Sequence, residues 1–254
     1  MNTGDLLTEL RENILHDRSD QVAGVSDRLW SDETLMRYMN EAQRRFARHS
    51  LIIRDSTSDA TKVTLVAGQD TYVLDPSVLA VISARYATDR VDLARSGHSA
   101  LGTYRTPDPL FFDPSQLATL QPGKVLAYAT DESVSTDDND SVSVVTLKVY
   151  PAPDAAQAGA VIQMRIVRLP MEPLSLEALK ATPEIPEDHH LDMLDWAAYL
   201  ALRIVDHDGG DPQRAAEFRE SFDANVKIAR TIVMRKLFAP TPWGFGRNGF
   251  KWER

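Results

Sequence analysis

The sequence contains no cysteine among its 254 residues. Disulfides, thiolate nucleophiles and zinc sites built on thiolates are therefore excluded, and the composition fits a reducing cytoplasm. Because 43% of the residues are hydrophobic, a chain of this length can still bury a sizeable core. We expect a folded protein whose own chemistry is not redox chemistry.

Long hydrophobic runs are also missing, since no apolar stretch approaches the roughly 20 residues that span a bilayer. The N-terminal stretch MNTGDLLTELRENILHD is amphipathic and acidic, whereas a secretory signal begins basic and continues apolar. The sequence predicts a soluble, unprocessed product with no membrane partner.

Cations are in deficit, because 28 Lys and Arg face 37 Asp and Glu and the formal net charge is −9. Proteins that hold nucleic acid usually gather Lys and Arg, which displace the counterions of the phosphate backbone. We therefore expect any DNA near this protein to pass by without specific binding.

The common catalytic motifs are absent as well: there is no glycine-rich phosphate loop after a strand, no Gly-X-Ser-X-Gly and no His-Glu-X-X-His. The pairs His189-His190 and His207-Asp208 are similar to parts of the ligand set of metal-dependent phosphohydrolases. On one continuous helix, however, the two pairs would lie roughly 26 Å apart along the axis, too far to share a metal. Helix capping and solvated surface explain them better, so we predict no catalytic residue, no metal ligand and no cofactor.

Two consecutive helices are predicted within residues 185–233. The Pro-Glu-Asp sequence at residues 186–188 marks the start of the first, where acids offset the positive end of the helix dipole. The Gly-Gly-Asp-Pro sequence at residues 209–212 ends that helix, caps the next one and opens it with a proline. The expected buried positions are Leu191, Leu194, Trp196, Ala197, Ala198, Leu200, Ala201, Ile204 and Val205, then Ala215, Ala216, Phe218, Phe222, Val226, Ala229 and Val233. Left for solvent or a neighbour are Arg214, Glu217, Arg219, Glu220 and Lys227.

Two further helices are predicted near the N-terminus. An apolar stripe at residues 6–15 lies between Asp5 and Asp17. The second helix has Ser31 or Asp32 as its cap and extends to about His49.

From residue 61 the periodicity becomes that of strands. Residues 63–66 and 72–73, separated by Ala-Gly-Gln-Asp, predict a β-hairpin. Further strands are predicted at residues 78–85, 126–129, 142–150 and 160–169. The middle third is therefore a small, mainly antiparallel sheet domain.

An acidic segment at residues 131–140 has five acids in ten residues. Clustered carboxylates can ligate calcium, but the glycine and the distal glutamate of a calcium loop are missing. A solvated loop is the favoured interpretation.

Two segments combine aromatic residues with prolines. Within residues 95–123, the aromatics Tyr104, Phe111 and Phe112 form a possible subunit interface, although covering the sheet's own face is the plainer explanation. Residues 237–254 are predicted to be an extended tail that docks on another protein, with folding back onto its own helices as the alternative. The docking residues of this tail are Phe238, Trp243, Phe245, Arg247, Phe250, Lys251, Trp252 and Arg254.

Together, these patterns resemble the bacteriophage head-to-tail adaptor (connector, or head-completion) neck proteins over roughly 90 residues. The resemblance is carried by the Pro-Glu-Asp helix start, by Trp-Ala-Ala-Tyr-Leu-Ala-Leu at residues 196–202, and by the acidic-glycine break with Ala-Glu-Phe-X-X-X-Phe after it. The early helix contributes Trp30, Ser31, Asp32, Glu33, Leu35, Tyr38, Asn40, Ala42 and Phe46.

The resemblance implies a structural virion protein without enzymatic activity, assembled in the host cytoplasm and placed at the neck between head and tail. Such a protein forms a homo-oligomeric ring, typically dodecameric, binds the portal protein and seals the DNA-filled capsid. It also provides a platform for tail or nozzle proteins, while genomic DNA passes through its lumen. A virion-surface or tail-fibre attachment module is the alternative of a different binding class, and a metal-dependent phosphohydrolase is a weaker one.

The predicted fold class is α+β: an antiparallel helical bundle from N- and C-terminal helices, with an inserted, mainly antiparallel β domain and an extended C-terminal tail. Residues 1–60 supply the first helices and residues 61–170 the β domain with its long loops. Residues 171–236 form the helical hairpin that completes the bundle, and residues 237–254 form the docking tail.

Overall fold

A computed structural model describes residues 1–17, 28–95, 121–135, 142–203 and 210–237. The chain divides into two compact units, one made of Met1–Ile52 with Glu172–Arg254 and the other of Ile53–Met171. The described helices of more than one turn lie in the first unit and the strands lie in the second, so the protein is α+β as predicted. Within the described ranges, no helix is long and apolar enough to cross a membrane.

The helical unit begins with α1, Thr3–Thr8, which continues as a π-helical segment, Glu9–Ile14. Asn2 caps α1 by a reciprocal pair of hydrogen bonds with Asp5: its side chain accepts from the Asp5 amide, and the Asp5 carboxylate accepts from the Asn2 amide. The wider π-helical turn shifts the side chains relative to a regular helix, yet the predicted apolar positions Leu6, Leu10 and Leu15 are buried.

Helix α2 spans Asp32–Ser50, close to the predicted limits. The Ser31 hydroxyl accepts a hydrogen bond from the Thr34 amide at 3.2 Å, which confirms one of the two predicted caps. The helix ends at Leu51, whose φ of 59° is left-handed. Its buried hydrophobic stripe comprises Leu35, Met36, Tyr38, Met39, Ala42, Phe46 and Ala47.

The C-terminal helices are α3, His190–Leu202, which follows a 3₁₀ turn at Glu187–His189, and α4, Pro212–Leu237. The Asp211 carboxylate accepts hydrogen bonds from the amides of Gln213 and Arg214, so the predicted cap of α4 is confirmed. Helix α3 is shorter than predicted, since it ends at Leu202; residues 204–209 lie outside the described part of the chain. Leu191, which was predicted to be buried, is 52% exposed.

The buried stripe of α4 is narrower than predicted. Its members repeat at coiled-coil spacing and are Ala215, Phe222, Val226, Ala229 and Val233. Ala216 is exposed and Phe218 is only half-buried, so these two predicted core positions were wrong. A narrow stripe leaves more than half of the helix circumference facing outward.

An ion-pair cluster holds the start of the helical unit together. The Arg11 guanidinium is buried and pairs with the carboxylates of Asp17 at 2.6 Å and Asp32 at 2.5 Å. It also donates to the Trp30 carbonyl, while Asp17 accepts from the Leu29 amide. Asp17 follows the π-helical segment, whereas Trp30 and Asp32 lie at the start of α2. Arg11 therefore fixes the π-helical segment against the start of α2.

Replacing Arg11 by methionine is expected to lower the free energy of unfolding by about 3 kcal/mol, because Asp17 would remain buried without its cation. Trp30 and Trp196, the tryptophans among the described residues, both belong to the helical unit, so their fluorescence during urea denaturation reports on it. The control Arg44→Met, at an exposed position of α2, should change the free energy by less than about 0.5 kcal/mol. Equal effects of the two substitutions would contradict the buried ion-pair account.

The second unit contains two four-stranded sheets. In the first, β8 (Val161–Arg168) pairs antiparallel with β1 (Arg54–Asp55), β2 (Lys62–Thr64) and β4 (Val78–Tyr86). The second has the order β3 (Thr71–Val73), β7 (Val142–Tyr150), β6 (Ala127–Ser135) and β5 (Ala94–Arg95). Only β5 with β6 is parallel among these named pairs, so the predicted mainly antiparallel arrangement is confirmed. One apolar core draws on both sheets and includes Leu65, Tyr72, Val81, Tyr128, Leu147, Ile162 and Met164.

The predicted hairpin of β2 and β3 was wrong. A turn does join them, with Gly68 at a φ of 76° and the Tyr72 hydroxyl accepting from the Val66 amide while donating to the Gln69 carbonyl. The two strands nevertheless pair with different partners, β2 with β8 and β3 with β7. Alternating hydrophobicity identifies a strand, but its pairing partner is set by packing with distant segments.

The predicted acidic loop also needs correction. Asp131–Ser135 belongs to β6, where Asp131 lies opposite Thr146 and Ser135 opposite Val142. The carboxylates were interpreted as a loop signal, but the ladder with β7 overrides that local preference. Residues 136–141, which hold the remaining acids, lie outside the described part of the chain.

Tyr86 supports the core of the β unit with its hydroxyl, which accepts a hydrogen bond from the buried Val125 amide at 2.9 Å. Tyr86→Phe should lower the free energy of unfolding by about 1–3 kcal/mol, because this amide would lose its acceptor away from water. Tyr72→Phe is the matched comparison: its partner Val66 is 52% exposed, so water can replace the hydroxyl. Urea denaturation followed by far-ultraviolet circular dichroism should rank Tyr86→Phe as the more damaging change, and the reverse order would refute this assignment.

Candidate functional site

The residues predicted to dock on partners lie outside the described part of the chain. This applies to the tail residues from Phe238 to Arg254 and to Tyr104, Phe111 and Phe112 of the long loop. Their roles stay predictions. The described part of the helical unit contains the contacts considered next.

The two histidines at the start of α3 have structural partners. His190 is buried, and its Nε2 lies 2.8 Å from the Ile185 carbonyl oxygen. Nδ1 of His189 lies 2.8 Å from the Asp192 carboxylate, and its ring lies 5.4 Å from that of Phe46, centroid to centroid. Both rings therefore fix the first turn of α3 against its surroundings.

The metal alternative gains no support from geometry. In the ranges that the structure describes, no group of three or more His, Asp or Glu side chains is placed to hold a metal ion. His189-His190 and His207-Asp208 were predicted to lie on one continuous helix. Helix α3 ends at Leu202 and His207-Asp208 falls outside the described residues, so the distance between the two pairs stays a prediction.

An aromatic cluster joins α2, α3 and α4. The Trp196 ring lies 5.2 Å from Phe222 on α4, and Phe222 in turn lies 5.9 Å from Phe46 on α2. The Arg45 guanidinium carbon is 3.8 Å from the Trp196 ring centroid, within the range of a cation–π contact. Sequence reasoning placed Trp196 in the core but missed Arg45, whose signal was its position three residues after the buried Ala42.

Asn40 connects α2 to the chain that returns from the β unit. Its side-chain amide donates to the Leu174 carbonyl at 2.8 Å and its side-chain oxygen accepts from the Leu174 amide at 2.7 Å. These two bonds reproduce the pairing that a neighbouring strand would give Leu174. These hydrogen bonds give a physical reason for a polar residue at position 40 of the early-helix pattern.

Cations gather at the end of α2 and beside it on α4. Burial lowers the pKa of His49, and the nearby positive charges of Arg45 and Arg48 lower it further. Arg230 acts in the same direction, while Asp223 opposes it. On a chain with net charge −9, this end of the helical unit is locally basic.

Asp195 is a half-buried carboxylate between α3 and α4. It accepts hydrogen bonds from the Ser221 hydroxyl at 2.7 Å and from the Asn225 amide group at 3.4 Å. Burial raises the pKa of Asp195, with the charge of Asp192 adding to the effect, although the two hydrogen bonds act against it. The ionised form is thus less favourable in the folded protein than in the unfolded chain.

Asp195→Asn should raise the thermal midpoint at pH 7 and lose that advantage in acid. A folded pKa above the unfolded value means that the ionised carboxylate costs stability at higher pH, and this cost disappears as the pH falls through the folded pKa. Asparagine keeps an acceptor for Ser221. Melting curves from pH 7 to pH 4 test this, with Glu220→Gln on the exposed face of α4 as control. A midpoint difference that does not change with pH would contradict the assignment.

Comparison with protein families gives a match to this chain. A family model described as SU10 adaptor protein matches residues 1–240. No curated protein is similar enough to match the chain. The family is one of structural adaptor proteins of bacteriophage virions, which is the class that the sequence resemblance implied. Since the match covers nearly all of its length, the chain belongs to the SU10 adaptor protein family.

Proposed function

We propose that this protein is a ring-forming head-to-tail adaptor that binds below the portal, seals the DNA-filled capsid and carries the tail or nozzle proteins. The family match over residues 1–240 is the observation that carries the proposal, since it includes every described residue. It favours an adaptor over the attachment module and over the phosphohydrolase.

The packing of the helical unit supports a binding role. Three of its polar side chains have partners within the unit: Arg11 pairs with two carboxylates, Asn40 with a backbone segment, and Asp195 with a hydroxyl. Such groups stabilise one arrangement of helices and are not free to bind substrate. In this proposal α2, α3 and α4 form an antiparallel bundle into which the β unit is inserted, and the function resides on the surface.

The proposed ring is homo-oligomeric, dodecameric, and located at the neck of the virion. Its acidic net charge supports passage of DNA through the lumen, because like charges do not hold the phosphate backbone. Closed rings of identical subunits need two different surfaces that fit each other on every subunit.

The tail at residues 237–254 is proposed to dock on the portal or on an adjacent subunit. It follows α4 directly and, fully extended, spans up to roughly 60 Å. Residues 241–254, with both tail tryptophans, lie beyond the family match. The docking role therefore depends on the chemistry of the tail, in which five large aromatics and three cations have few residues around them to form a core.

A chain truncated after Ala239 should stay soluble and folded but bind the portal at least roughly tenfold more weakly, because the aromatic anchors are lost. Binding is measured by sedimentation of the truncated and full-length chains with portal protein from the same genome. The full-length variant Trp243→Ala with Trp252→Ala should show the same loss. Its control is Leu29→Ala, which removes an apolar side chain that is 52% exposed on the helical unit. If the truncated chain aggregates or loses its cooperative thermal transition, the tail belongs to the core and the docking role is wrong.

A further inference from the structure

The outer surface of α4 changes character along the helix. Its first half carries the exposed acids Glu217 and Glu220, whereas residues 226–237 contain four cations and no acid. These cations are Lys227, Arg230, Arg235 and Lys236, and within the described part of the chain none of them forms an ion pair. The cationic second half of α4, on a protein with a negative net charge, favours an anionic partner.

Apolar side chains lie among these cations. Ile228 is 58% exposed and Ile232 is 41% exposed, one helical turn apart on the same side of α4. Lys227 precedes them and Arg235 follows them along the helix. Beside the isoleucines, a shallow hollow on the helix surface is lined by Lys227, Arg230, Thr231, Met234 and Arg235. We call the surface formed by Lys227, Ile228, Ile232, Met234 and Arg235 the basic face. An apolar centre with a charged rim is the usual composition of a protein–protein contact and differs from that of a surface that holds phosphate.

A surface of opposite character lies at the N-terminus of the same unit. Asp5 and Glu12 are exposed and Glu9 is half-exposed, while the two cations of residues 1–15 are paired: the Met1 ammonium with Glu187, and the buried Arg11 with Asp17 and Asp32. Leu179 lies against Gly4, whose amide donates to the Leu179 carbonyl, and it is 41% exposed. We call the surface formed by Asp5, Glu9, Glu12 and Leu179 the acidic face.

The two faces occupy different places on the helical unit. The Arg214 guanidinium donates to the Ile14 carbonyl at 2.8 Å, which holds the end of the π-helical segment beside the first turn of α4. The basic face begins at Lys227, about 20 Å farther along the helix at 1.5 Å per residue. Two separate surfaces of opposite charge are what a head-to-tail contact between identical subunits requires.

We propose that the basic face of α4 in one subunit binds the acidic N-terminal face of the next, and that this contact closes the ring. The inference rests on the proposed function, because it names the surfaces by which the adaptor ring assembles. The occupant of the basic face is a second copy of this chain.

Charge reversal tests the pairing. Lys227→Glu with Arg235→Glu should reduce the fraction of chain in the ring at least roughly tenfold, because the acidic face would then meet acids. Glu9→Lys with Glu12→Lys should have the same effect. Combining all four substitutions in one chain should restore the ring, because the two faces exchange their charge signs and remain opposite in charge. Sedimentation velocity of each full-length chain, alone and with portal protein from the same genome, measures the ring, and circular dichroism checks folding.

The matched control is Arg85→Glu with Arg165→Glu on the exposed side of β4 and β8. It changes the net charge by the same amount as the basic-face variant but should leave the ring intact. If the parent chain assembles and the basic-face variant assembles equally well, the pairing is wrong while the adaptor function stands. A parent chain that does not assemble even with portal overturns both.

Other occupants of the basic face give distinct results. If antiparallel α4 helices pair by their acidic and basic halves, the parent chain stops at a dimer. If the face holds DNA, the basic-face variant assembles normally but loses affinity for a short labelled duplex in fluorescence anisotropy. If the face binds the portal, that variant forms a free ring that no longer joins portal. Each of these results overturns the proposed pairing.

Discussion

The contact of Phe46 with Phe222, extended by Trp196, is the interaction on which the helical unit depends. It joins α2 from the first part of the chain to α3 and α4 from the last part, with the whole β unit between them in sequence. Aromatic side chains of this size contribute more buried area than any other residue type, so their pairing offsets much of the entropy lost in bringing distant segments together.

Other contacts of the helical unit act beside this aromatic contact. Arg11 and Asn40 fix chain segments that adjoin α2, and Asp195 sets α4 against α3 at some cost in stability. Because α4 buries only a narrow stripe, its remaining circumference is available to a partner. A long helix that does not bury its outer side favours assembly as the function.

Most of the helices could be predicted from sequence because their limits are local. Ser31, Asp211 and Pro212 act within one helical turn, and the structure confirms the starts of α2 and α4. The strands of the β unit were largely found, but the length of β6 was underestimated because its acidic second half was interpreted as a loop. The pairing of β2 and β3 was wrong because each pairs with a strand far away in sequence. The buried Arg11 and the contact of Arg45 with Trp196 were missed for the same reason. The exposed isoleucines of α4 were missed because only charged residues were assigned to its outer side.

The adaptor function is tested most directly by the mass of the protein in solution. Light scattering coupled to size-exclusion chromatography should be applied to the full chain alone and to its mixture with portal protein from the same genome. The account predicts a large complex of ring and portal in the mixture, whether or not the free protein is monomeric. No association with portal, or a stable trimer of the free protein, would contradict it and favour a virion-surface attachment module.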